Sequence, residues 1–201
     1  MFEDLLMTNA AVEESEFMPI ISVDEDDEPH TGEDMPELVP VLALKNTVLY
    51  PGIVIPITVG REKSMKAVRK AHDTNKQIAV LAQKDVETED PGVSDLFTVG
   101  TMARILKILK MPDGSITAIL QGRSRFNMVQ MDAVDPYMIA RVKPRNYIPA
   151  ESKIEFEAII GSIRDLAEKI IKLSPNIPSE AVVMIRNIKS DIHLLGFISS
   201  N

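Results

Sequence analysis

Val39-Pro40-Val41-Leu42-Ala43-Leu44-Lys45-Asn46-Thr47-Val48-Leu49-Tyr50-Pro51-Gly52-Ile53-Val54-Ile55-Pro56-Ile57-Thr58-Val59 is the stretch that decides the fold of this 201-residue chain. Val39 to Lys45 is a short apolar run, and Ile53 to Val59 is β-branched except for Pro56. Such runs, bounded by turn residues, read as strands. Between them Leu49-Tyr50-Pro51-Gly52 is a turn signal, because proline sets φ near −65° and glycine tolerates positive φ. Pro56 has no N–H to give a sheet ladder, so its strand is expected at an edge or with a bulge.

Working outward, Arg61 to Asn75 reads as an amphipathic helix with Met65, Val68 and Ala71 or His72 facing inward. Gln77 to Gln83 is another strand, followed by an acidic loop from Lys84 to Asp95. Phe97 to Lys110 and Ile116 to Gln121 flank Asp113-Gly114, a strong hairpin signal. Gly122 is expected to break that run, Phe126 to Met131 to resume it, and Tyr137 to Lys143 to close the set. Six or seven short strands with one helix form a barrel or sandwich pattern, not an alternating βαβ one.

Beyond Pro149 the pattern turns helical. Ser152 and Glu155 form a capping box. Ile159, Ile163, Leu166, Ile170 and Leu173 repeat at steps of four and three, a seam of coiled-coil type expected to pack against the second helix, the barrel or another copy, with part of it exposed if the bundle is cut. After Pro175 and Pro178, Ser179 is expected to cap a second helix carrying Val182, Ile185, Ile188, Ile192 and Leu195. That stripe still runs at Asn201, so a cut inside a helical bundle is expected.

Residues 1–37 hold 13 acids and no Lys or Arg, whereas residues 38–201 hold 17 acids and all 22 basic residues, a net of +5. Two readings of the leader are open. One is a solvated, disordered segment, since its charge density opposes burial. The other is an amphipathic docking peptide built on Phe2, Leu5 and Leu6. Cys is absent and the three histidines (His30, His72, His193) are not at ligand spacing, which excludes thiolate metal sites and disfavours a histidine-built zinc site. No basic signal-peptide region is visible. The longest uncharged run, Asn46 to Gly60, is too short to span a membrane. A cytoplasmic protein without membrane partners is expected.

Catalytic signatures are missing. No Gly precedes Lys, so there is no P-loop, and neither G-x-G nor G-x-S-x-G occurs. Ser64, Ser124 or Ser152 could each be paired with some lysine, but residues so common pair by chance. No enzymatic activity is expected of this chain by itself.

The opening stretch, with the continuation Gly60-Arg61 and Ser64, closely resembles the start of the N-terminal domain of ATP-dependent Lon proteases. Val99-Gly100-Thr101-Met102-Ala103-Arg104-Ile105, the Asp113-Gly114 hairpin, and Gly122 with Arg125-Phe126 match later markers of that family in order. The resemblance implies an α+β fold: a PUA-like β pseudo-barrel with one packed helix, then the start of an α-helical bundle. It divides the chain into a leader (1–37), the β domain (38–150) and the first helices of a truncated connector (151–201). It implies a domain that recognises unfolded or degron-bearing polypeptides. The parent would be a homo-oligomer, expected to be a hexamer, that uses ATP and Mg and a Ser–Lys dyad lying further along the chain. No cofactor is implied for this fragment. The acidic leader lies outside the resemblance.

Tyr50, Pro51, Ile53 and Ile55 are the candidate substrate-binding residues, because they surround a turn beside a proline-bearing edge. The alternative places them in the core. Met65, Met102, Met111, Met128, Met131 and Met138 form a second candidate set, with core filling again the alternative. A different class of function, nucleic-acid binding, would use Lys107, Lys110, Arg123, Arg125, Arg141, Lys143 and Arg145, although the aromatic content of 4% offers few stacking platforms. A stand-alone Lon-domain adaptor is a third reading, opposed by the unfinished helix.

Overall fold

The computed structural model describes residues 20–21 (backbone), 35–175, 177–178 and 180–200. Most of the acidic leader, and the expected cap Ser179, therefore lie outside the described residues.

The chain is α+β. Its strands are β1 (Ile20–Ile21), β2 (Leu38–Leu44), β3 (Ile53–Val59), β4 (Gln77–Ala82), β5 (Val99–Lys110), β6 (Ile116–Ala133) and β7 (Ile139–Pro144). Helix α1 (Glu62–Thr74) precedes β4, and α2 (Lys153–Leu173), α3 (Glu180–Asn187) and α4 (Asp191–Ser199) follow β7. Ala67, Val68 and Ala71 are the buried face of α1, so Ala71 and not His72 takes the inward position.

Strand β6 organises the sheet. β5 runs along one of its edges, while the other carries β3 against Ile116–Gln121 and β7 against Phe126–Ala133. β7 also pairs with β2, so β2, β4, β5, β6 and β7 close into a ring. β3 stands apart from that ring. Among the described residues, no pairing joins it to β2. The result is a pseudo-barrel, closed at one end by β7 and split at the other between β2 and β3. The β2–β4 pair is parallel, with β3 and α1 in the crossover. That is one local exception to an otherwise antiparallel pattern.

Gly122 does not break the strand. β6 runs through it for 18 residues, and the register against β5 shifts between Met102 and Ala103. The cause is a close approach: a Cβ on Gly122 would lie 2.2 Å from the Tyr50 carbonyl oxygen. The strand passes beneath the Tyr50 corner, and a bulge absorbs the extra residue.

Two clusters form the core. Val39, Leu81, Met102 and Phe126 centre the one inside the closed end. The other joins β3, β4 and α1 to the C-terminal helices, with Leu49, Ile53, Ile160, Leu194 and Phe197 in one contiguous set. β4 contributes to both, Ile78 and Val80 to one and Ala79 and Leu81 to the other. Burial on both faces is why that segment reads as an unbroken apolar run.

The helices differ from expectation in two respects. α2 buries Ile160 and Ile171, with Phe156 and Ala167 packed beside them, and leaves Ile159, Leu166, Ile170 and Leu173 exposed. The helix carries two apolar faces about 100° apart, and the one bearing Phe156, Ile160, Ala167 and Ile171 joins the core cluster shared with α3 and α4. Ile163 is half-buried, and the rest of the coiled-coil seam points away from the core. The second correction is that the single C-terminal helix is two, α3 and α4. Ser190 starts the second by accepting a hydrogen bond from the His193 N–H (3.4 Å), with Asp191 in its first turn. Arg164 donates to the Ile185 (2.5 Å) and Ile188 (3.3 Å) carbonyls, satisfying the exposed end of α3.

Candidate polypeptide-binding site

Leu49, Tyr50, Pro51 and Gly52 form a tightly tied corner. Gly52 adopts φ +78°, where a side chain would be strained, and its N–H donates to the Gly122 carbonyl (2.9 Å). Thr101 Oγ1 donates to the Leu49 carbonyl in a buried bond of 2.6 Å. The close packing continues on the other side. A Cβ on Gly52 would sit 2.6 Å from the His193 ring, and one on Gly196 would sit 3.1 Å from the Tyr50 Cβ. The corner thus fastens β3 to β6 and to α4.

This geometry sorts the four candidate residues. Ile53 is 0% exposed and Ile55 is 8% exposed, so both side chains belong to the core, as the competing reading had it. Tyr50 and Pro51 are half-buried beside α4 and keep some accessible surface. The methionines divide similarly: Met102 and Met138 are buried, Met65, Met128 and Met131 pack against the clusters, and Met111 is exposed near the hairpin.

Two of the apolar features that face solvent among the described residues are candidates for the site. The first is the split between β2 and β3, a cavity of about 440 Å³ walled by Leu42–Lys45 on one side and Pro56–Arg61 on the other, with Ser64 of α1 at its end. The β3 edge opposite β6 carries β1 only as far as Val54, so Ile55–Val59 have no neighbouring strand there among the described residues. The β2 edge opposite β4 carries β7 only along Leu38–Pro40. Pro56 therefore lies on an edge, as its missing N–H requires. Ala43, Pro56 and Ile57 are partly exposed in the split. Lys45 and Arg61 stand at its rim, where Arg61 donates to Gln83 Oε1 (2.8 Å). Gln83 is itself held by donating to the Thr88 carbonyl (2.9 Å). Nearby, a hydrogen bond to Asp90 (3.4 Å) and the charge of Asp135 (3.5 Å) raise the Lys63 ammonium above its usual range.

The second feature is the outward face of α2, where Ile159, Leu166, Ile170 and Leu173 are exposed. Sequence reasoning named these residues as a seam in need of a partner, with the second helix, the barrel and another copy left open. Of the walls of the split, sequence reasoning reached only the proline-bearing edge at Pro56 and Ile57; Leu42–Lys45 were not singled out as a site. Within the basic set Arg141 is neutralised by Glu37 and Asp132, and Arg145 is held by donating to Asn127. No cluster of His, Asp or Glu suited to a metal occurs among the described residues. None of the described helices is long and apolar enough to cross a membrane.

The sequence profile of the ATP-dependent protease La (LON) substrate-binding domain matches residues 38–201. The chain belongs to the Lon substrate-binding domain family. Two relatives agree. A Lon protease of Flavobacterium johnsoniae is 47% identical over 189 residues, covering 94% of this chain and 23% of the relative. One of Cytophaga hutchinsonii is 40% identical over 187 residues, covering 92% and 23%. The solved N-terminal domain of the Mycobacterium avium complex Lon protease has the same fold, with a TM-score of 0.61 at 21% identity over 78% of each chain. This Lon-family domain thus spans under a quarter of the curated relatives it matches.

Proposed function

We propose that the chain is the polypeptide-receiving part of a larger ATP-dependent protease. The observation that carries this is the match of a substrate-binding domain family to residues 38–201, on a fold that leaves apolar surface open in the β2–β3 split and along α2. Exposed apolar patches of this kind serve interactions rather than folding. The ligands are unfolded or degron-bearing segments of other proteins. Cleavage by a Ser–Lys dyad and ATP hydrolysis with Mg belong to the remainder of the parent, which works in the cytoplasm as a homo-oligomer, a hexamer in the resemblance-based reading. Residues 1–37 serve as a leader, 38–150 as the β domain and 151–201 as the first part of a helical connector. Tyr50 and Pro51 remain candidate contacts at the corner, while Ile53 and Ile55 act through the core. The four-and-three spacing on the outer face of α2 suits another helix, from the rest of the protease chain or a neighbouring subunit.

Peptides tiling a model protein, displayed as an array, test this reading. Binding is expected in many sequence contexts, following apolar content and little affected by salt. Recognition of one sequence only, or binding that follows positive charge on the ligand, contradicts it.

A further inference from the structure

The outer face of the sheet at the closed end carries apolar and basic side chains together. Side chains alternate between the faces of a strand, and residues directly opposite in an antiparallel pair share a face. A Cβ on Gly100 would meet Phe126 Cζ at 2.7 Å, inside the closed-end cluster, so Val99 and Thr101 point outward. Asn127 lies opposite Val99, and Lys143 opposite Asn127. In the next row Arg125 lies opposite Thr101, and the Arg145 N–H donates to the Arg125 carbonyl (2.9 Å). In the other direction the chain before β5 stays extended. The Met128 N–H donates to the Thr98 carbonyl (2.7 Å), and the Phe97 N–H donates to the Ala82 carbonyl (3.0 Å). Leu96 is buried in the closed-end cluster, which turns Phe97 outward beside Val99. Val129 sits at the irregularity between Met128 and Gln130 of β6. Phe97 and Val129 are each 50% exposed, and Arg125, Lys143 and Arg145 are exposed as well. The Leu49–Gly52 corner bounds this face, because Thr101 is held by the Leu49 carbonyl.

We propose that this face receives polypeptide segments in which bulky apolar residues are flanked by aspartate or glutamate. The preference rests on the polypeptide-binding function above and names the class of segment that function favours. Phe97, Val99 and Val129 provide the apolar contact, which salt leaves largely intact. Arg125, Lys143 and Arg145 stand on neighbouring rows of the same face, so an extended segment reaches apolar and cationic groups within a few residues. The arginine forks suit carboxylates in particular. Exposed cations are screened by solvent and salt, so they choose between segments of equal apolar content and do not supply the main affinity. Segments flanked by lysine meet like charge here and are disfavoured.

The test uses the 201-residue chain and three peptides that share one apolar core, flanked by glutamate, serine or lysine. At low salt the glutamate-flanked peptide is expected to bind at least about threefold tighter than the lysine-flanked one, with the difference shrinking near about 0.5 M salt. In the double variant Lys143→Glu/Arg145→Glu the order of these two peptides is expected to reverse, an outcome that a misfolded variant does not mimic. Val129→Asp is expected to weaken the glutamate-flanked peptide most. Equal binding of the three peptides, or the same order in the chain and its charge-reversed variant, overturns the preference while leaving polypeptide binding intact. Displacement of the glutamate-flanked peptide by a single-stranded DNA oligonucleotide at equal concentration overturns it too, since a polyanion without apolar side chains would then be the better ligand. Binding of none of the peptides, nor of any unfolded protein, removes the underlying function, and the preference with it.

Discussion

Gly122 sits where β6 passes under the Tyr50 carbonyl, and the space there is set by backbone on both sides. In Gly122→Ala the new Cβ meets the Tyr50 oxygen at 2.2 Å and Thr101 Cγ2 at 3.2 Å, so the corner or the strand must shift. A loss of about 1–3 kcal/mol is expected in denaturant unfolding, the range for overpacking. Gly161 provides the contrast. It lies inside α2, where an added methyl group would meet nothing within 4 Å, so Gly161→Ala is expected to raise stability by up to about 1 kcal/mol. The same unfolding curves read both. At this scale the corner itself was legible, because Pro51-Gly52 is a turn signal whatever surrounds it. The role of Gly122 was not, since a glycine that breaks a strand and one that lets another chain segment pass look alike in sequence.

Element by element, α2 holds the clearest divergence between pattern and packing. Its residues repeat at coiled-coil spacing, yet Ile160 and Ile171 face the core while Leu166 and Ile170 face solvent. Periodicity shows that a helix has an apolar side but not which of two adjoining sides the rest of the fold covers. Ile160→Ala is therefore expected to cost about 2–5 kcal/mol, and Leu166→Ala to stay within about 0.5 kcal/mol. Equal losses at the two positions contradict the placement of the helix. The α2–α3 contact also carries a pH signature. Arg186 donates to Glu168 at 2.8 and 2.6 Å, and that pairing, reinforced by the charge of Lys172, holds the Glu168 carboxyl at about 2, below its ordinary 4.5. A carboxylate with a depressed folded pKa stabilises above its unfolded value and loses that contribution as the pH falls through the folded one. Helical signal is expected to weaken between about pH 4.5 and 2. Glu168→Gln is expected to flatten the profile in that window, and an unchanged profile speaks against the pairing.

The whole molecule joins a barrel closed at one end to C-terminal helices that share one of its two core clusters. Most of its strands follow from apolar runs separated by Pro-Gly and Asp-Gly turns, and these are local signals. The closure through β7 and the split between β2 and β3 depend on pairings between distant segments, such as Leu38 with Arg141, which no local pattern contains. For the same reason the candidate residues gathered round a visible turn and its proline-bearing edge, while the β2 wall of the cavity passed unnoticed. The central claim, that this fold receives unfolded chains, is reached most directly by comparing one protein in two states. A disulfide-bonded model protein in its native form and in its reduced, alkylated, unfolded form is titrated in parallel against the 201-residue chain. Saturable binding of the unfolded form, with none of the native form, is the predicted result. Equal affinity for both, or binding of neither, contradicts the account.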